Sequence, residues 1–440
     1  MNNSPTLKHP LIRRYKFFLL VLGAFTFAEI RAQGLVIDIT GGVESTMPVA
    51  IVPFAWTGQT NQAPINVSSV VKSDLSLSGY FNLLPERNML TRPTHADKVK
   101  FRNWQALGQE FLVIGQIKEV QGQYAIQFQL FDVYKEEQIF AYRMNFAKQE
   151  LRRAAHSISN FVLQKLTGIR GVFDSKIAYI TSVVQPNRQI LYKLQVADAD
   201  GFNPITIAAS KEPLMSPVWS PDAKKIAYVS FEKKSSAIFI QTLATGERVK
   251  ISSHPGINGA PAWSPDGKRM AMTLSKDGSP DIYVLNLINR NLQKLTKSFA
   301  IDTEPSWSPD GRYIVFTSDR GGKPQLYKMP SSGGRAERLT FQGDYNARGR
   351  FSQDGKKLAM VHGNRGDYRI AVMDIKTKTV SALTSGRQDE SPSFAPNSNL
   401  LVYAAIRGNK RMLSVVSVDG RMQQKLIFDR GEIREPAWSP

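Results

Sequence analysis

The second half of the chain repeats itself. Six aromatic residues mark equivalent places in successive copies, with gaps of 44, 44, 44, 43 and 44 residues: Trp219, Trp263, Trp307, Phe351, Phe394 and Trp438. The segments around them read PVWSPDAKK, PAWSPDGKR, PSWSPDGRY, GRFSQDGKK, PSFAPNSNL and PAWSP. A period of about 40 to 45 residues with four short strands per copy is typical of a β-propeller. Helical repeats of similar period are excluded because each copy is patterned as strands.

The third copy shows how one unit is expected to fold. Residues 305–308 predict a first strand, followed by a tight turn in which Pro presets φ and Gly tolerates a positive φ. Residues 313–317, 325–329 and 337–340 predict the other three strands. We interpret the WSPDG sequence as structural, because a propeller needs an aromatic wedge and a turn at this spacing whatever it binds.

Counting the copies predicts six blades. The second strands fall at residues 176–181, 225–230, 269–273, 313–317, 357–361 and 400–404. The first blade has no repeat strand before it, whereas residues 435–440 form a first strand with no blade after it. We therefore predict that residues 435–440 pair beside residues 176–181 and close the ring, which also removes the exposed sheet edges.

The N-terminus has the order of a secretory signal peptide. Lys8, Arg13, Arg14 and Lys16 precede an apolar run of twelve residues, 17–28. This run is too short to cross a hydrocarbon core of roughly 30 Å as a helix. We predict a signal peptide over residues 1–32, with cleavage after Ala32 or, as the second choice, after Ala28. An N-terminal helix buried in the fold is the alternative.

Residues 33–167 predict a small mixed α/β domain. Residues 35–39 and 49–54 have the pattern of buried strands, residues 124–130 alternate as a half-buried strand does, and residues 139–146 suit its hairpin partner. Two amphipathic helices are expected, one marked by Val67, Val70, Val71 and Leu75 and ended by Gly79, the other running from Leu151 to Leu166. We assign residues 168–175 to a linker and residues 176–440 to the propeller. The predicted fold class is α+β.

The sequence offers no catalytic signature. There is no G-x-S-x-G, H-E-x-x-H, Walker or Rossmann pattern, the five His residues are isolated, and the absence of Cys excludes disulfides, thiolate zinc sites and cysteine nucleophiles. The net charge of +20 arises mostly in residues 169–440, where 39 basic residues face 25 acidic ones in short, dispersed pairs. Dispersed charge favours solubility over nucleic-acid binding. We expect a non-enzymatic protein with no cofactor, no nucleic-acid partner and no membrane span.

A propeller without catalytic groups is expected to bind a partner at the mouth of its central tunnel. Every connection from a fourth strand to the next first strand falls on one face, and these inner loops supply Met215, Ser216, Asn258, Gly259, Ala260, Thr303, Glu304, Arg348, Glu390 and Glu435. The carboxylates of Asp302, Glu304, Asp389, Glu390 and Glu435 offer oxygen ligands for a divalent cation, although no spacing defines a site and we predict no bound metal.

The mature chain closely resembles the TolB family of the Tol-Pal system of Gram-negative bacteria. The most specific segments are GGVESTMPVAIVPFAW near the start and QKLTGIRGVF at the junction, followed by PLMSPVWSPDAKKIAYVSFE, INGAPAWSPDGKRMAM and EPAWSP. The fourth and fifth copies, GRFSQDG and PSFAPNS, depart from the common pattern, which concerns Arg348 and Glu390.

The resemblance implies a periplasmic, monomeric, non-enzymatic protein. Its propeller would bind the peptidoglycan-associated lipoprotein Pal, and its mature N-terminus would contact the inner-membrane protein TolA, in support of outer-membrane invagination during division and envelope integrity. Carried over by position, the Pal surface includes Ile257, Asn258, Gly259, Ala260, Thr303 and Glu304, and the TolA segment comprises Gln33, Gly34, Leu35, Val36, Ile37 and Asp38. The competing hypothesis is a secreted propeller hydrolase or a carbohydrate-binding lectin, which a paired-carboxylate site or an aromatic platform in the tunnel would favour.

Overall fold

The computed structural model describes residues 46–408, 410–426 and 431–440. The predicted signal peptide, the predicted strand at residues 35–39 and the predicted TolA segment Gln33–Asp38 lie outside these residues.

A mixed α/β domain comes first. Its strands are β1 (Met47–Ile51), β2 (Ala55–Thr57), β3 (Phe81–Leu83), β4 (Phe111–Val120), β5 (Gln123–Asp132) and β6 (Glu137–Ala147), and its helices are α1 (Val67–Ser78), α2 (Phe101–Gln105) and α3 (Leu151–Thr167), with 3₁₀ turns at Glu86–Asn88, Ala96–Lys98 and Lys148–Glu150. The sheet order is β3-β1-β4-β5-β6, with β2 beside β4. Pairing is parallel among β1 to β4 and antiparallel from β4 to β6.

The two predicted helices of this domain are confirmed. The Asn66 side chain caps α1 by accepting the backbone N–H of Ser69 at 3.0 Å. Gly79 ends α1 in the left-handed region, with φ of 76°, as the sequence indicated. The apolar faces of α1 and α3 are buried together with one face of the sheet. Strand β4 was not predicted, and the predicted strand at 49–54 begins earlier and ends at Ile51.

Six four-stranded antiparallel sheets form the propeller, and we number them blades one to six along the ring. Within each blade the strands are given from the innermost to the outermost. The blades are β30 (Glu432–Trp438), β7 (Lys176–Val184), β8 (Ile190–Asp198) and β9 (Ile205–Ser210); β10 (Leu214–Trp219), β11 (Lys225–Ser230), β12 (Ala237–Thr242) and β13 (Arg248–Ser252); β14 (Asn258–Trp263), β15 (Arg269–Leu274), β16 (Asp281–Asn286) and β17 (Leu292–Lys294); β18 (Asp302–Trp307), β19 (Tyr313–Ser318), β20 (Gln325–Pro330) and β21 (Glu337–Arg338); β22 (Tyr345–Phe351), β23 (Lys357–Asn364), β24 (Asp367–Asp374) and β25 (Val380–Ala382); and β26 (Glu390–Phe394), β27 (Leu400–Arg407), β28 (Lys410–Ser417) and β29 (Gln423–Lys425). The predicted fold class and the count of six blades are confirmed.

The ring closes through the last strand, as predicted. Strand β30 pairs antiparallel with β7, placing Ile433 opposite Thr181 and Trp438 opposite Ile177. Ser439 strengthens this closure, because its backbone N–H donates to the Lys176 carbonyl at 2.8 Å and its hydroxyl accepts the Lys176 N–H at 3.0 Å. Blade one is therefore built from residues of both ends of the propeller sequence.

The repeated Trp joins neighbouring blades, whereas the repeated turn is stabilised by contacts within its own blade. The Trp307 indole N–H donates to the Ala262 carbonyl of the preceding blade at 3.0 Å, so the ring is a wedge between two blades. In the turn that follows, Asp310 accepts the Ser308 hydroxyl at 2.6 Å and the Arg312 backbone N–H at 3.0 Å, and Gly311 has φ of 71°. The interpretation of WSPDG as a structural motif agrees with these contacts.

The α/β domain and the propeller share one hydrophobic core. This core runs from the faces of α1 and α3 to side chains of blades one and six, such as Tyr179, Val402 and Met422. Polar contacts cross the same junction, for example from Arg152 of α3 to Asp198 at the end of β8 and to Asp200 just after it. None of the helices in the described part of the chain is both long and apolar enough to cross a lipid bilayer.

Candidate functional site

A ring of six residues surrounds the central channel. Each innermost strand contains a β-bulge, and each bulge carries one non-glycine residue with a positive φ between 46° and 58°: Ser216, Ala260, Glu304, Arg348, Ser391 and Glu435. A bulge re-aims the side chain that it carries. All six residues line one cavity of about 890 Å³ that follows the inner strands. We call these six residues the bulge ring.

The bulge ring corrects the sequence analysis in one respect. Residues such as Met215 and Glu304 were predicted to lie in loops, with the first strand of the model copy beginning at residue 305. The structure places both within first strands, and the strand that contains Glu304 begins at Asp302. A left-handed non-glycine residue costs of order 1 kcal/mol or more, so it persists only where its surroundings hold it. The ring is therefore a rigid part of the blades.

Arg348 is the centre of the polar network in this ring. Its Nε lies 2.9 Å from Oε1 of Glu304 in the preceding blade, and its Nη2 reaches past blade six to within 3.6 Å of Oε1 of Glu435. Its Nη1 also donates to the Ser391 hydroxyl. One side chain thus connects four members of the ring and three other blades.

Both oxygens of each ring carboxylate, Glu304 and Glu435, have a partner in this network. Oε2 of Glu304 accepts the Thr317 hydroxyl at 3.0 Å and the Arg348 backbone N–H at 3.1 Å, while Oε2 of Glu435 accepts the Ser216 backbone N–H. Burial alone would lower the pKa of Arg348, but the carboxylates of Glu304, Glu435 and Glu390 outweigh burial and raise it. The guanidinium of Arg348 is therefore kept in its charged form.

Ten of the eleven predicted Pal-site residues line the same cavity. They are Met215, Ser216, Ile257, Asn258, Gly259, Ala260, Thr303, Glu304, Arg348 and Glu435. Asn258 is fully buried, and its side chain is engaged by Ser252 and by the backbone of His254, so it supports the loop. Glu390 does not line the cavity, because its Oε1 pairs with Arg411 of its own blade at 2.6 Å.

Exposed apolar side chains also lie in the connections on this face, and the sequence analysis selected only Ile257 among them. Ile257 and Ile301 hold the same repeat position and are 49% and 51% exposed, and Phe299 and Phe341 project from the neighbouring connections. Single exposed apolar residues are ordinary, whereas several on one rim are typical of a protein-binding surface. For Ile257 and Ile301 the signal in the sequence is an apolar residue three places before a ring residue in two successive copies, and Phe299 and Phe341 have no such regular place.

The structure does not support a cation site among the acidic residues of the inner rim. Asp302 is buried and paired with Arg320 at 2.7 Å, and Glu304 and Glu435 are held by Arg348. Within the described residues, the one group with atoms close enough to share an ion is Asp74, His156 and Asp200, at the junction between the domains. There His156 Nδ1 lies 2.8 Å from Asp74 Oδ2, and Arg152 pairs with Asp200, so charges are already matched.

Comparison with known proteins gives consistent matches over nearly the whole chain. A family model described as the TolB beta propeller domain matches residues 163–440, and one described as the TolB amino-terminal domain matches residues 35–139. The chain is 58% identical to the Tol-Pal system protein TolB of Nitrosococcus oceani over 407 residues, which cover 92% of this chain and 93% of that protein. It is 58% identical to the protein of the same name from Methylococcus capsulatus over 430 residues, which cover 98% and 99%.

A solved structure agrees with these matches. The crystal structure of TolB from Acinetobacter baumannii is similar to this chain with a TM-score of 0.83 at 42% sequence identity, covering 90% of this chain and 97% of that one.

Proposed function

Because the chain belongs to the TolB family of Tol-Pal system proteins, we propose that it is a periplasmic component of this system whose propeller binds the peptidoglycan-associated lipoprotein Pal. The resemblance seen in the sequence is confirmed at the level of the family, and membership indicates an envelope protein. The partner and the compartment are the proposal.

The family also answers the question of catalysis. The TolB relatives are Tol-Pal system proteins with a non-enzymatic propeller, and no enzymatic family is indicated, so the expectation that this protein is not an enzyme is confirmed. The competing hypothesis of a secreted hydrolase or lectin finds no paired catalytic carboxylates in the described part of the channel, since Glu304 and Glu435 are both occupied by Arg348.

The observation that supports Pal binding at the channel mouth is the bulge ring together with the exposed apolar side chains at its cavity. Six rigid positions converge on one cavity, which is open to a partner segment beside Met215 and Ile257. Protein interfaces concentrate their energy in a central, well-packed group surrounded by a polar rim. The cavity, with the exposed apolar side chains of Met215 and Ile257 beside it, suits the central group, and exposed charged residues such as Lys323 suit the polar rim.

The second half of the proposal concerns TolA and the cell. We propose that the mature N-terminus, Gln33–Asp38, contacts TolA, and that the protein acts as a monomer linking TolA and Pal. This linkage would support outer-membrane invagination during division and outer-membrane integrity. The support is membership in the Tol-Pal system and the resemblance of the N-terminal sequence.

The test for Pal binding blocks the channel with one side chain. Ala260 is a ring residue with φ of 46°, and the change Ala260→Trp fills the cavity from a conformation that a non-glycine residue already adopts. Calorimetric titration with purified Pal should show at least a tenfold loss of affinity. The matched control is Ala223→Trp, because Ala223 has φ of 56° in a turn at the opposite end of its blade.

Smaller changes refine the same test. Thr303→Ala and Glu304→Ala should weaken binding through the dissociation rate, by about 2 kcal/mol where the residue is central to the interface. Lys323→Ala should have little effect, because Lys323 is an exposed rim residue paired with Asp344 at 2.9 Å. Wild-type affinity in folded Ala260→Trp, Thr303→Ala and Glu304→Ala proteins would move the Pal site elsewhere.

A further inference from the structure

Blade five places a second arginine in the channel where the other blades have small side chains. Arg350 follows the ring residue Arg348 by two positions in β22 and lines the same cavity. At the equivalent place the other five inner strands carry Val218, Ala262, Ser306, Ser393 and Ala437. Gly349 precedes it where the other copies have Pro. Blade five therefore departs from the repeat at two adjacent positions.

Arg350 forms no direct ion pair within the part of the chain that the structure describes, although the charges of Glu304 and Glu435 act on it from a longer distance. Its Nη1 donates to the carbonyl of Gly349 at 3.0 Å, and no carboxylate forms an ion pair with its guanidinium. The nearest candidates, Glu304 and Glu435, use their oxygens on Arg348, Thr317 and Ser216. Burial, together with the charge of Arg348, lowers the pKa of Arg350 and outweighs the opposing charges of Glu304 and Glu435.

We propose that Arg350 is a binding residue for a carboxylate that the protein partner inserts into the channel. The inference rests on the proposed function, because it assigns the chemistry of one contact in the same site. A partly buried charge without a counter-charge is unfavourable, and a partner that supplies the missing anion removes that cost on binding. Guanidinium groups bind carboxylates with two parallel hydrogen bonds, which also fixes the orientation of the incoming side chain.

The surroundings of Arg350 leave room for this group. The channel wall at this level consists of the small side chains of the other five blades, so the space opposite the guanidinium is open to the cavity. The neighbouring Arg348 is held by Glu304 and Glu435 and is unavailable to a partner carboxylate. Arg350 is thus the guanidinium of this network without a direct ion pair, and an Asp or Glu side chain of the partner can supply one.

The test compares Arg350→Ser with the wild-type protein. Serine occupies the same position in two other blades, at Ser306 and Ser393, so the variant should fold with an unchanged or higher melting temperature. We expect its affinity for purified Pal, measured by calorimetry and by dissociation kinetics, to fall about 30-fold, mainly through faster dissociation. Arg350→Lys should retain part of the affinity, since it keeps the charge but not the bidentate geometry.

Two further arms separate a direct contact from general effects. Arg312→Ser removes the same charge from an exposed turn at the other end of a blade and should leave Pal binding unchanged. The surface Asp and Glu residues of Pal are then changed singly to Asn and Gln. One of these changes should strongly lower the affinity of Pal for the wild-type protein and should not lower its affinity for the Arg350→Ser protein any further.

Two results would overturn the inference, and they differ from the failure of the proposed function. Wild-type affinity of the Arg350→Ser protein, with Ala260→Trp still defective, would retain the Pal site and reject the carboxylate contact. A large loss of melting temperature in both Arg350→Ser and Arg350→Lys would show that the guanidinium serves the fold. If Ala260→Trp itself bound Pal normally, the Pal site in the channel would be rejected first.

Discussion

The closure of the ring at Trp438 gives a quantitative prediction. Trp438 lies in β30, the strand that completes blade one, and only 5% of its surface is exposed. Its indole N–H donates to the Ser175 hydroxyl at 2.7 Å, and its backbone N–H donates to the Ser393 hydroxyl of blade six at 2.9 Å. The change Trp438→Ala removes the wedge at the point where the first and last blades meet.

The expected cost follows from this burial. Replacing a buried Trp by Ala costs about 3 to 5 kcal/mol, which is a large part of a typical domain stability of about 5 to 15 kcal/mol. One kcal/mol corresponds to about 2 to 4 °C of melting temperature in a domain of 150 to 250 residues. Trp438→Ala should therefore lower the melting temperature by roughly 10 °C. Deleting residues 435–440 should cost more, because it also removes the ladder to β7 and exposes the edge of blade one.

Differential scanning calorimetry of matched variants is the assay. Trp263→Ala is the control, because Trp263 holds the same repeat position but is only half-buried, and its indole N–H has no hydrogen-bond partner among the described residues. It should be the milder change. An unchanged melting temperature after deletion of residues 435–440, or a smaller effect of Trp438→Ala than of Trp263→Ala, would refute the reasoning that β30 closes the ring.

Three further predictions concern ionisation and processing. Burial and the positive charge of Arg152 would lower the pKa of His156. Its hydrogen bond to Asp74 and the negative charges of Asp74 and Asp200 outweigh these two effects and raise the pKa above 6.5. The folded state then binds the proton more tightly, so the free energy of unfolding, measured in urea, should fall as the pH rises from about 6.5 through the raised pKa, and His156→Gln should remove this slope. The pH dependence of stability due to Asp310 has the opposite sign. The Ser308 hydroxyl and the Arg312 donors lower the pKa of Asp310 to about 2, so its contribution to stability is present above pH ~4 and is lost as the pH falls to ~2. Asp310→Asn should flatten that part of the acid-unfolding curve without changing Pal affinity. N-terminal sequencing of the exported protein should begin at Gln33, or at Glu29 if cleavage follows Ala28; a mature chain that keeps residues 17–28 would exclude a cleaved signal peptide.

The propeller could be predicted from the sequence because its repeat presents the same evidence of folding six times. An aromatic residue every 43 or 44 positions fixes the blade count, and the unmatched strand at residues 435–440 indicates closure. The α/β domain has no such repetition. Strand β4 was not predicted, because it lies inside the sheet and has a continuous apolar run, Phe111–Ile114, instead of an alternating pattern.

Topology brings most of the predicted site residues to one cavity, but the chemistry of this cavity depends on contacts that no sequence pattern shows. The left-handed residues of the bulge ring include Glu, Arg, Ser and Ala, whose sequence gives no sign of a positive φ, in contrast to the turn residue Gly311. Glu390 illustrates the remaining error of position. It precedes the ring residue Ser391 by one place, and this single step turns its carboxylate away from the cavity and toward Arg411.

The repeat itself separates residues that serve the fold from residues that serve binding. Positions with one structural task carry similar residues in most copies, as the aromatic wedge and the Ser and Asp of the turn do. The bulge ring has the same backbone conformation in all six blades, yet it carries Ser, Ala, Glu, Arg, Ser and Glu. A conformation that tolerates such different side chains places little demand on their identity. The ring side chains outside the ion pairs, and Arg350 two positions beyond the ring, are therefore free to match a partner, and changing them should alter binding far more than folding. Glu304, Arg348 and Glu435 also join the blades to one another.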